Sequence, residues 1–186
     1  MEGFWDFSVR TYRTRGVSEA CLSLQNDHGA DVNMLLYCCW AGAAVGPLEG
    51  ALFDRASEFS AHWAENVVIP LRDARTWMKH TGCDLGPVPT ASCMALREEI
   101  KIVEFAAEKM QQEVLEAMAS TDRRGSDTPQ QILGDVVANL LLYAEYAGLD
   151  IEDDVRRKFS VIIGAAFPAW NLSDIRGALS LAGPKP

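Results

Sequence analysis

Apolar residues recur at every third or fourth position along almost the whole chain, which is the spacing of one face of an α-helix. The clearest example lies in residues 90–119, where an apolar stripe is separated by charged residues: Leu96, Ile100, Val103, Ala107, Met110, Val114 and Ala117. Strand signals are almost absent, because no run alternates Val, Ile or Thr with polar residues beside an Asn-Gly or Asp-Gly turn. The pattern predicts an all-α protein, a single helical bundle of six to eight helices.

Local start and stop signals place the individual helices. Asp31 is the expected N-cap of segment 31–45, which is apolar on nearly every face and therefore belongs in the middle of the bundle. Gly46-Pro47 predicts the start of a long central helix, with a kink at Pro70 because proline lacks the N–H donor. Thr128-Pro129-Gln130-Gln131 has the form of a capping box. We expect the core to be shared by the helices at 31–45, 47–80, 90–119 and 128–147.

The chain length is enough for one compact domain, or for one domain with an extension. We expect residues 1–148 to form the helical bundle domain. Residues 149–186 are expected to form a C-terminal helical extension packed on the bundle. The polar segment 120–127 predicts an exposed loop between two helices.

The formal net charge of −9 limits the classes of partner. Nucleic acids and anionic membrane surfaces are bound through clustered Lys and Arg, so we expect neither as a partner. The longest apolar run, 32–45, is shorter than the roughly 20 residues that span a bilayer. Residues 1–7 lack the basic region and apolar stretch of a signal peptide, so we expect a cytoplasmic protein.

The cysteines are odd in number, and no pair of them has the C-x-x-C spacing of a zinc or redox motif. This favours reduced, buried thiols that pack as small hydrophobic groups. The residues concerned are Cys21, Cys38, Cys39, Cys83 and Cys93.

Catalytic and cofactor motifs are missing from the sequence, which has no P-loop, dinucleotide-binding glycine pattern, HExxH or EF-hand loop. We therefore expect no cofactor, and binding rather than catalysis. Glu58, His62 and Glu65 share one helical face, and Glu104 and Glu108 are similarly spaced on a later helix. A di-iron bundle needs Glu-x-x-His on two helices, and this chain has it on none. A solvated face is therefore the favoured interpretation, and a metal site on Glu58, His62 and Glu65 is the weaker alternative.

The segment Asp27–Asn33 places several polar side chains in a tight turn between two helices. One interpretation is structural: Gly29 ends a helix, Asp31 caps the next, and His28 and Asn33 brace the corner. The functional interpretation is a small polar pocket that binds a ligand or a partner. Its residues would be His28, Asp31 and Asn33 together with Trp5 and Trp40.

Arg72, Arg75 and Lys79 lie along one face of a helix in an otherwise acidic protein. Mixed charges on helices usually pair within the molecule, which favours ion pairs with the acidic helix at 98–108. The functional alternative is a strip of cations on which a protein partner docks.

The N-terminal third carries a recognisable series of short segments. They are Phe4-Trp5-Asp6-Phe7, Gly16-Val17, Ala20-Cys21-Leu22, Leu24-Gln25 and His28-Gly29-Ala30-Asp31-Val32-Asn33, followed later by Trp63, Val67, Pro70-Leu71-Arg72, Arg75 and Lys79. This series resembles a proteobacterial family of short proteins that is known only as a domain of unknown function. The resemblance spans about residues 4–145 and implies a cytosolic bacterial helical protein. It assigns no catalytic residue.

Together these observations favour a non-catalytic helical module that binds a protein or a small ligand. The alternative is an enzyme or metalloprotein with a polar site around His28, Asp31, Asn33 and the Glu58/His62/Glu65 face. A protein partner is expected, and a homo-oligomer is possible because the apolar stripe on helix 90–119 is narrow enough to face a second subunit.

Overall fold

The computed structural model describes residues 2–87, 89–119 and 128–181, so the predicted loop at 120–127 lies outside the described residues. These residues form helices and no strand, which confirms the all-α class. In chain order the α-helices are α1 (Phe4–Tyr12), α2 (Val17–His28), α3 (Val32–Ala44), α4 (Gly50–Trp63), α5 (Ile69–His80), α6 (Thr90–Ala119), α7 (Pro129–Tyr146), α8 (Asp153–Ala166) and α9 (Leu172–Leu181).

Helix α3 is the centre of the bundle, as its uniformly apolar sequence predicts, and it packs along α7. The two helices approach very closely at Gly42, where an added Cβ would lie 2.7 Å from the backbone nitrogen of Val136. Only glycine allows this approach. Beyond the crossing, the buried Asn139 side chain accepts from Leu48 N–H (2.6 Å) and donates to the Gly46 carbonyl (3.1 Å). These bonds hold 46–48 as a turn, so the long helix begins at Gly50 rather than at Pro47.

The other helices cover this centre with large apolar side chains. Phe4 of α1, Leu24 of α2, Phe159 of α8 and Ile175 of α9 are all fully buried in the same cluster as α3 and α7. Helices α8 and α9 therefore share the main core. The division of the chain at residue 148 stays a prediction.

A π-helical segment, Ala64–Val68, joins α4 to α5 into one continuous rod. If this rod is counted as a single helix, the described residues contain eight, within the predicted range. A kink is predicted at Pro70, and the structure instead has the π-helical turn just before this residue. A proline removes an N–H donor, and its ring crowds the preceding turn. The Asn66 side chain donates to the His62 carbonyl (2.8 Å) within this segment.

Helix α6 is rotated relative to the prediction from its apolar stripe. Leu96, Val103 and Met110 are 51%, 53% and 51% exposed, whereas the buried face carries polar residues such as Glu104 and Gln111. A hydrophobic pattern locates a buried face only where that face is apolar. Here the inward face borders a polar site, so the stripe predicted to be core lies largely at the surface.

The tip of the α5–α6 hairpin has a small core of its own, formed by Met78, Cys83, Cys93 and Ile100. A disulfide joins Cys83 to Cys93, so the prediction that all five cysteines are thiols is wrong for this pair. The hairpin brings their Cα atoms to 5.5 Å, which spacing in sequence could not show. The other three cysteines are buried thiols, as predicted. Within the described residues, no helix is both long and apolar enough to cross a membrane.

Candidate functional site

A buried polar network lies where the N-terminus of α3 meets α4, α6 and α7. Asp31 caps α3, as predicted, because its Oδ1 accepts from Asn33 N–H at 2.8 Å. Its other oxygen, Oδ2, accepts from the Ser60 hydroxyl (2.6 Å) and from Gln111 Nε2 (2.7 Å). The Asp31 N–H in turn donates to the Tyr143 hydroxyl oxygen at 2.7 Å. The carboxylate is therefore held by three donors on three elements.

Side-chain amides extend this network away from Asp31. Gln111 donates to Asp31, and its Oε1 accepts from Asn33 Nδ2 at 2.7 Å. Asn33 Oδ1 then accepts from Gln112 Nε2, also at 2.7 Å. Gln111 and Gln112 are 1% and 4% exposed, so these bonds are made away from water. Buried hydrogen bonds in series of this kind fix the positions of the side chains that they join.

Two arginines of α5 and two glutamates of α6 form the next layer of the site. Arg72 bonds Glu104 (3.2 Å) and Glu108 (3.0 Å), and Arg75 bonds Glu104 through both its Nε and its Nη2 (3.1 Å). These ion pairs confirm, for Arg72 and Arg75, the prediction that the cations of α5 pair with the acidic segment of α6. The two positive charges of these arginines are balanced by the two carboxylates of Glu104 and Glu108, so both arginines are largely neutralised within the molecule.

The two glutamates have opposite pKa shifts although they lie one helical turn apart. Burial would raise the pKa of Glu104, but the hydrogen bonds and charges of Arg75 and Arg72 outweigh it, and the net shift is downward. Burial raises the pKa of Glu108, and Arg72 opposes this only in part. Two like groups with environments that separate their pKa values are a recurring feature of functional sites.

A cavity of about 970 Å³ opens beside the network and the ion pairs. Helix α1 contributes Trp5, Ser8 and Tyr12, and α6 contributes Phe105, Glu108 and Gln112. Both sets have the spacing i, i+3, i+7, which places each on one helical face. Trp5 and Phe105 meet edge to face at 5.1 Å. The cavity thus combines aromatic rings with buried polar groups, the usual composition of a small-molecule site.

Two residues of the cavity lining, Ser8 and Gln112, each have a buried polar atom that finds no hydrogen-bond partner among the residues that the structure describes. These atoms are the Ser8 hydroxyl oxygen and Gln112 Oε1, and both side chains are more than nine-tenths buried. An unsatisfied buried polar atom costs about 1–3 kcal/mol. Such atoms next to a cavity are therefore candidates for contact with a bound molecule.

The structure brings five of the eight predicted binding residues to this one cavity. They are Trp5, Asp31, Asn33, Arg72 and Arg75. The other three lie elsewhere. His28 is exposed at the end of α2, Lys79 is exposed near the end of α5, and Trp40 is in the core, where its Nε1 donates to the Glu2 carbonyl at 3.1 Å.

The residues of the alternative metal site, Glu58, His62 and Glu65, are all exposed. No three His, Cys, Asp or Glu side chains in the described part of the chain are grouped so that they could hold a metal ion. The structure therefore does not bring this face together with the segment at His28.

Several residues of the site were not identified from the sequence as binding residues. Ser60, Gln112 and Tyr143 lie on three different helices, and each joins the site only through the tertiary fold. Gln111 and Gln112 look like surface residues because glutamine in an amphipathic helix is usually solvated. From the sequence, Glu108 is one of two carboxylates on a helical face and part of the acidic segment expected to pair with the arginines, and neither pattern predicts a binding residue. A clue was available in the adjacent pair of glutamines, which interrupts the charged residues of α6 near its buried turn.

Comparison with known proteins finds one family match. No curated protein and no solved structure matches the chain. The match covers residues 3–115, so it ends before the position, about residue 145, to which the resemblance was expected to extend. Every member of the polar network except Tyr143 lies inside the matched region. Because the match covers more than half of the sequence, the chain belongs to the family described as protein of unknown function DUF2390.

Proposed function

We propose that this protein is a non-catalytic module that binds a small organic ligand in the cavity between α1, α3, α5 and α6. The observation that carries the proposal is the convergence of five predicted binding residues on one cavity, two further lining residues of which, Ser8 and Gln112, have a buried polar atom without a partner in the described chain. A volume of about 970 Å³ is at the upper end of the range for small-molecule sites.

The bonding of the polar groups supports binding over catalysis. The Asp31 carboxylate accepts three hydrogen bonds, so it is committed to holding α3, α4 and α6 together. Arg72 and Arg75 are bonded to Glu104 and Glu108. A catalytic acid, base or nucleophile has to be free to react with the substrate, whereas these groups are suited to fixing the shape of a cavity.

The experiment that tests the proposal is a fragment screen with a variant that fills the cavity. Val9 lines the cavity from α1, whereas Asp6 is exposed on the same helix. We expect fragments that raise the unfolding temperature of the wild-type protein to lose this effect in Val9→Trp and to keep it in Asp6→Trp. The two variants introduce the same side chain on the same helix, so a general effect of tryptophan would appear in both. Equal responses of both variants would reject the cavity as the binding site.

We infer, in line with the resemblance, that the protein works in a bacterial cytoplasm. Three buried thiols support this inference, since reduced cysteines are typical of that compartment. Fractionation of the host cell tests it. Recovery from the periplasm, where disulfides such as Cys83–Cys93 persist, would overturn it.

The proposed protein partner has less support than the ligand. Arg72 and Arg75 are ion-paired with Glu104 and Glu108. Of the three residues of the predicted docking strip, only Lys79 is exposed. Pull-down with the Arg72→Glu/Arg75→Glu variant tests the strip, and retention of the same partners would argue against it.

A further inference from the structure

The direction of every amide in the polar network is set by Asp31. An ionised carboxylate can only accept hydrogen bonds, so Gln111 must present its NH₂ group to Asp31 and its carbonyl oxygen to Asn33. Asn33 must then donate to Gln111 and accept from Gln112. Reversal of any one amide would place two donors or two acceptors against each other.

The chain of amides therefore ends on an acceptor. Gln112 uses its NH₂ group toward Asn33, and its Oε1 faces no donor in the described part of the chain. Hydrogen bonds in series polarise one another, which increases the negative partial charge on the last oxygen. A molecule that satisfies this atom has to bring an N–H or O–H group.

The charges around the cavity favour a cationic donor over an anion. Glu108 uses one carboxylate oxygen for Arg72 and lies one turn before Gln112 on the same face of α6. Side chains at i and i+4 are neighbours, so one group can contact both. The lining contains three arginines, Arg13, Arg72 and Arg75, and four carboxylates, Asp31, Asp73, Glu104 and Glu108, so its formal charge is negative.

The aromatic rings of the site are also suited to a cation. Lys109 Nζ lies 5.6 Å from the centre of the Trp5 ring, so the structure already contains an ammonium group on this ring. The negative face of an indole attracts cations within about 6 Å. Tyr12, Phe105 and Tyr146 supply further ring surface around the cavity.

We propose that the ligand is a small organic amine, bound as its ammonium form, which donates to Gln112 Oε1 and to the Glu108 carboxylate while its carbon atoms, including those that share the positive charge, contact the rings of Trp5 and Tyr12. This inference rests on the proposed function, since it specifies the ligand class of the same cavity. Carboxylates and phosphate dianions do not fit beside Gln112 and Glu108, because they bring no donor for Gln112 Oε1 and are repelled by the Glu108 carboxylate.

Three probes that share a phenyl group test the charge preference. They are 2-phenylethylammonium, 2-phenylethanol and 3-phenylpropanoate, each titrated into ¹⁵N-labelled wild-type protein at neutral pH. We expect the ammonium to shift the side-chain NH₂ signals of Gln112 and the indole signal of Trp5. Its affinity should exceed that of the alcohol by at least about tenfold, because the alcohol replaces a charged hydrogen bond by a neutral one. The carboxylate should not bind beside Gln112 and Glu108.

Two variants and a control identify the atoms concerned. Gln112→Met removes the terminal acceptor, and Glu108→Gln removes the charge but keeps an acceptor for Arg72. Each should weaken the ammonium by at least about tenfold, whereas Gln130→Met, at an exposed position on α7, should not change it. Glu108→Gln keeps the test decisive if Gln112→Met does not fold.

The outcomes separate this inference from the proposed function. Tighter binding of the carboxylate, failure of all three probes to bind, or an unchanged affinity of the ammonium in both variants would overturn the amine as the ligand class. The proposed function would still stand if the screened fragments no longer raised the unfolding temperature of Val9→Trp but still raised that of Asp6→Trp. If neither variant affected them, the cavity itself would be rejected.

Discussion

Helix α3 meets α7 and α6 in two contrasting ways. Around Gly42, the contact with α7 is apolar and so close that this residue has no room for a side chain. Against α6, the N-terminus of α3 contacts polar side chains, and a cavity opens beside them. One helix therefore takes part in the dense core of the bundle at one end and in the candidate binding site at the other. Dense apolar packing supplies the stability that allows a protein to keep a cavity and buried polar groups elsewhere.

The largest effect on stability should come from adding a side chain where α3 crosses α7 at Gly42. Gly42→Ala places a Cβ within 2.8 Å of the Val136 backbone, which cannot move without displacing α7. We expect a loss of about 3 kcal/mol in the free energy of unfolding, measured in urea.

Gly134→Ala is the matched control for this substitution. Gly134 lies in α7, and no heavy atom of a neighbouring element lies within 4 Å of the position that its Cβ would take. Alanine is the better helix former, so this variant should gain about 0.5–1 kcal/mol. A similar loss in both variants would mean that the close approach at Gly42 is not what makes the crossing sensitive.

The tip of the α5–α6 hairpin should respond next, and only locally. The Cys83–Cys93 bond closes a loop with a sequence separation of 10, for which the chain-entropy relation gives about 2.7 kcal/mol. A reductant should therefore speed hydrogen exchange in α5 and in the first half of α6, while amides of α3 and α7 stay protected. In Cys83→Ala/Cys93→Ala the reductant should have no further effect. Equal loss of protection across α3 would show that the hairpin and the main core unfold as one unit.

The stability of the polar network between α3 and α6 should depend on the negative charge of Asp31, which sets the orientation of the side-chain amides. Asp31→Asn preserves size but replaces a pure acceptor by an amide, so one of the donors from Ser60 and Gln111 loses its partner. We expect a loss of about 1–3 kcal/mol, measured by urea unfolding. Asp27→Asn is the control, because Asp27 is exposed and bonds only Ser23 among the described residues. Its effect should stay within about 0.5 kcal/mol.

The same contrast explains how far the sequence could predict the fold and the site. Asp31 as a cap, the buried position of α3 and Thr128 as the cap of α7 follow from local rules, and the structure confirms them. The rotation of α6 does not follow from local rules. Glu104, Gln111 and Gln112 are residue types that usually face solvent, and their partners lie on α3 and α5, which are distant in sequence. Sequence patterns report a buried face through its hydrophobicity, so a buried polar face is read as surface.

The pairing of Cys83 with Cys93 and the cavity itself also depend on tertiary distances. Neither the return of α6 along α5 nor the arrangement of α1 opposite α6 has a local signal. Trp5 and Asp31 could be proposed as neighbours only from their residue types. The sequence therefore led to residues that line the site more readily than to the bonds among them.

The smallest predicted effect distinguishes the two glutamates of the site by the sign of their pH dependence. The pKa of Glu104 is lowered in the fold, so its ionised form contributes stability above the unfolded pKa, and this is lost as the pH falls through the folded pKa. The pKa of Glu108 is raised, so its ionised form is a cost that is absent in acid and fully present above the folded pKa. Urea unfolding of Glu104→Gln and Glu108→Gln, compared with wild type at neutral and acidic pH, measures both. Glu104→Gln should be less stable than wild type at neutral pH, Glu108→Gln should be equally or more stable, and both differences should shrink in acid. Both variants make the same change on the same helix. Stability differences of the same sign at neutral pH would therefore contradict the opposite pKa shifts of Glu104 and Glu108.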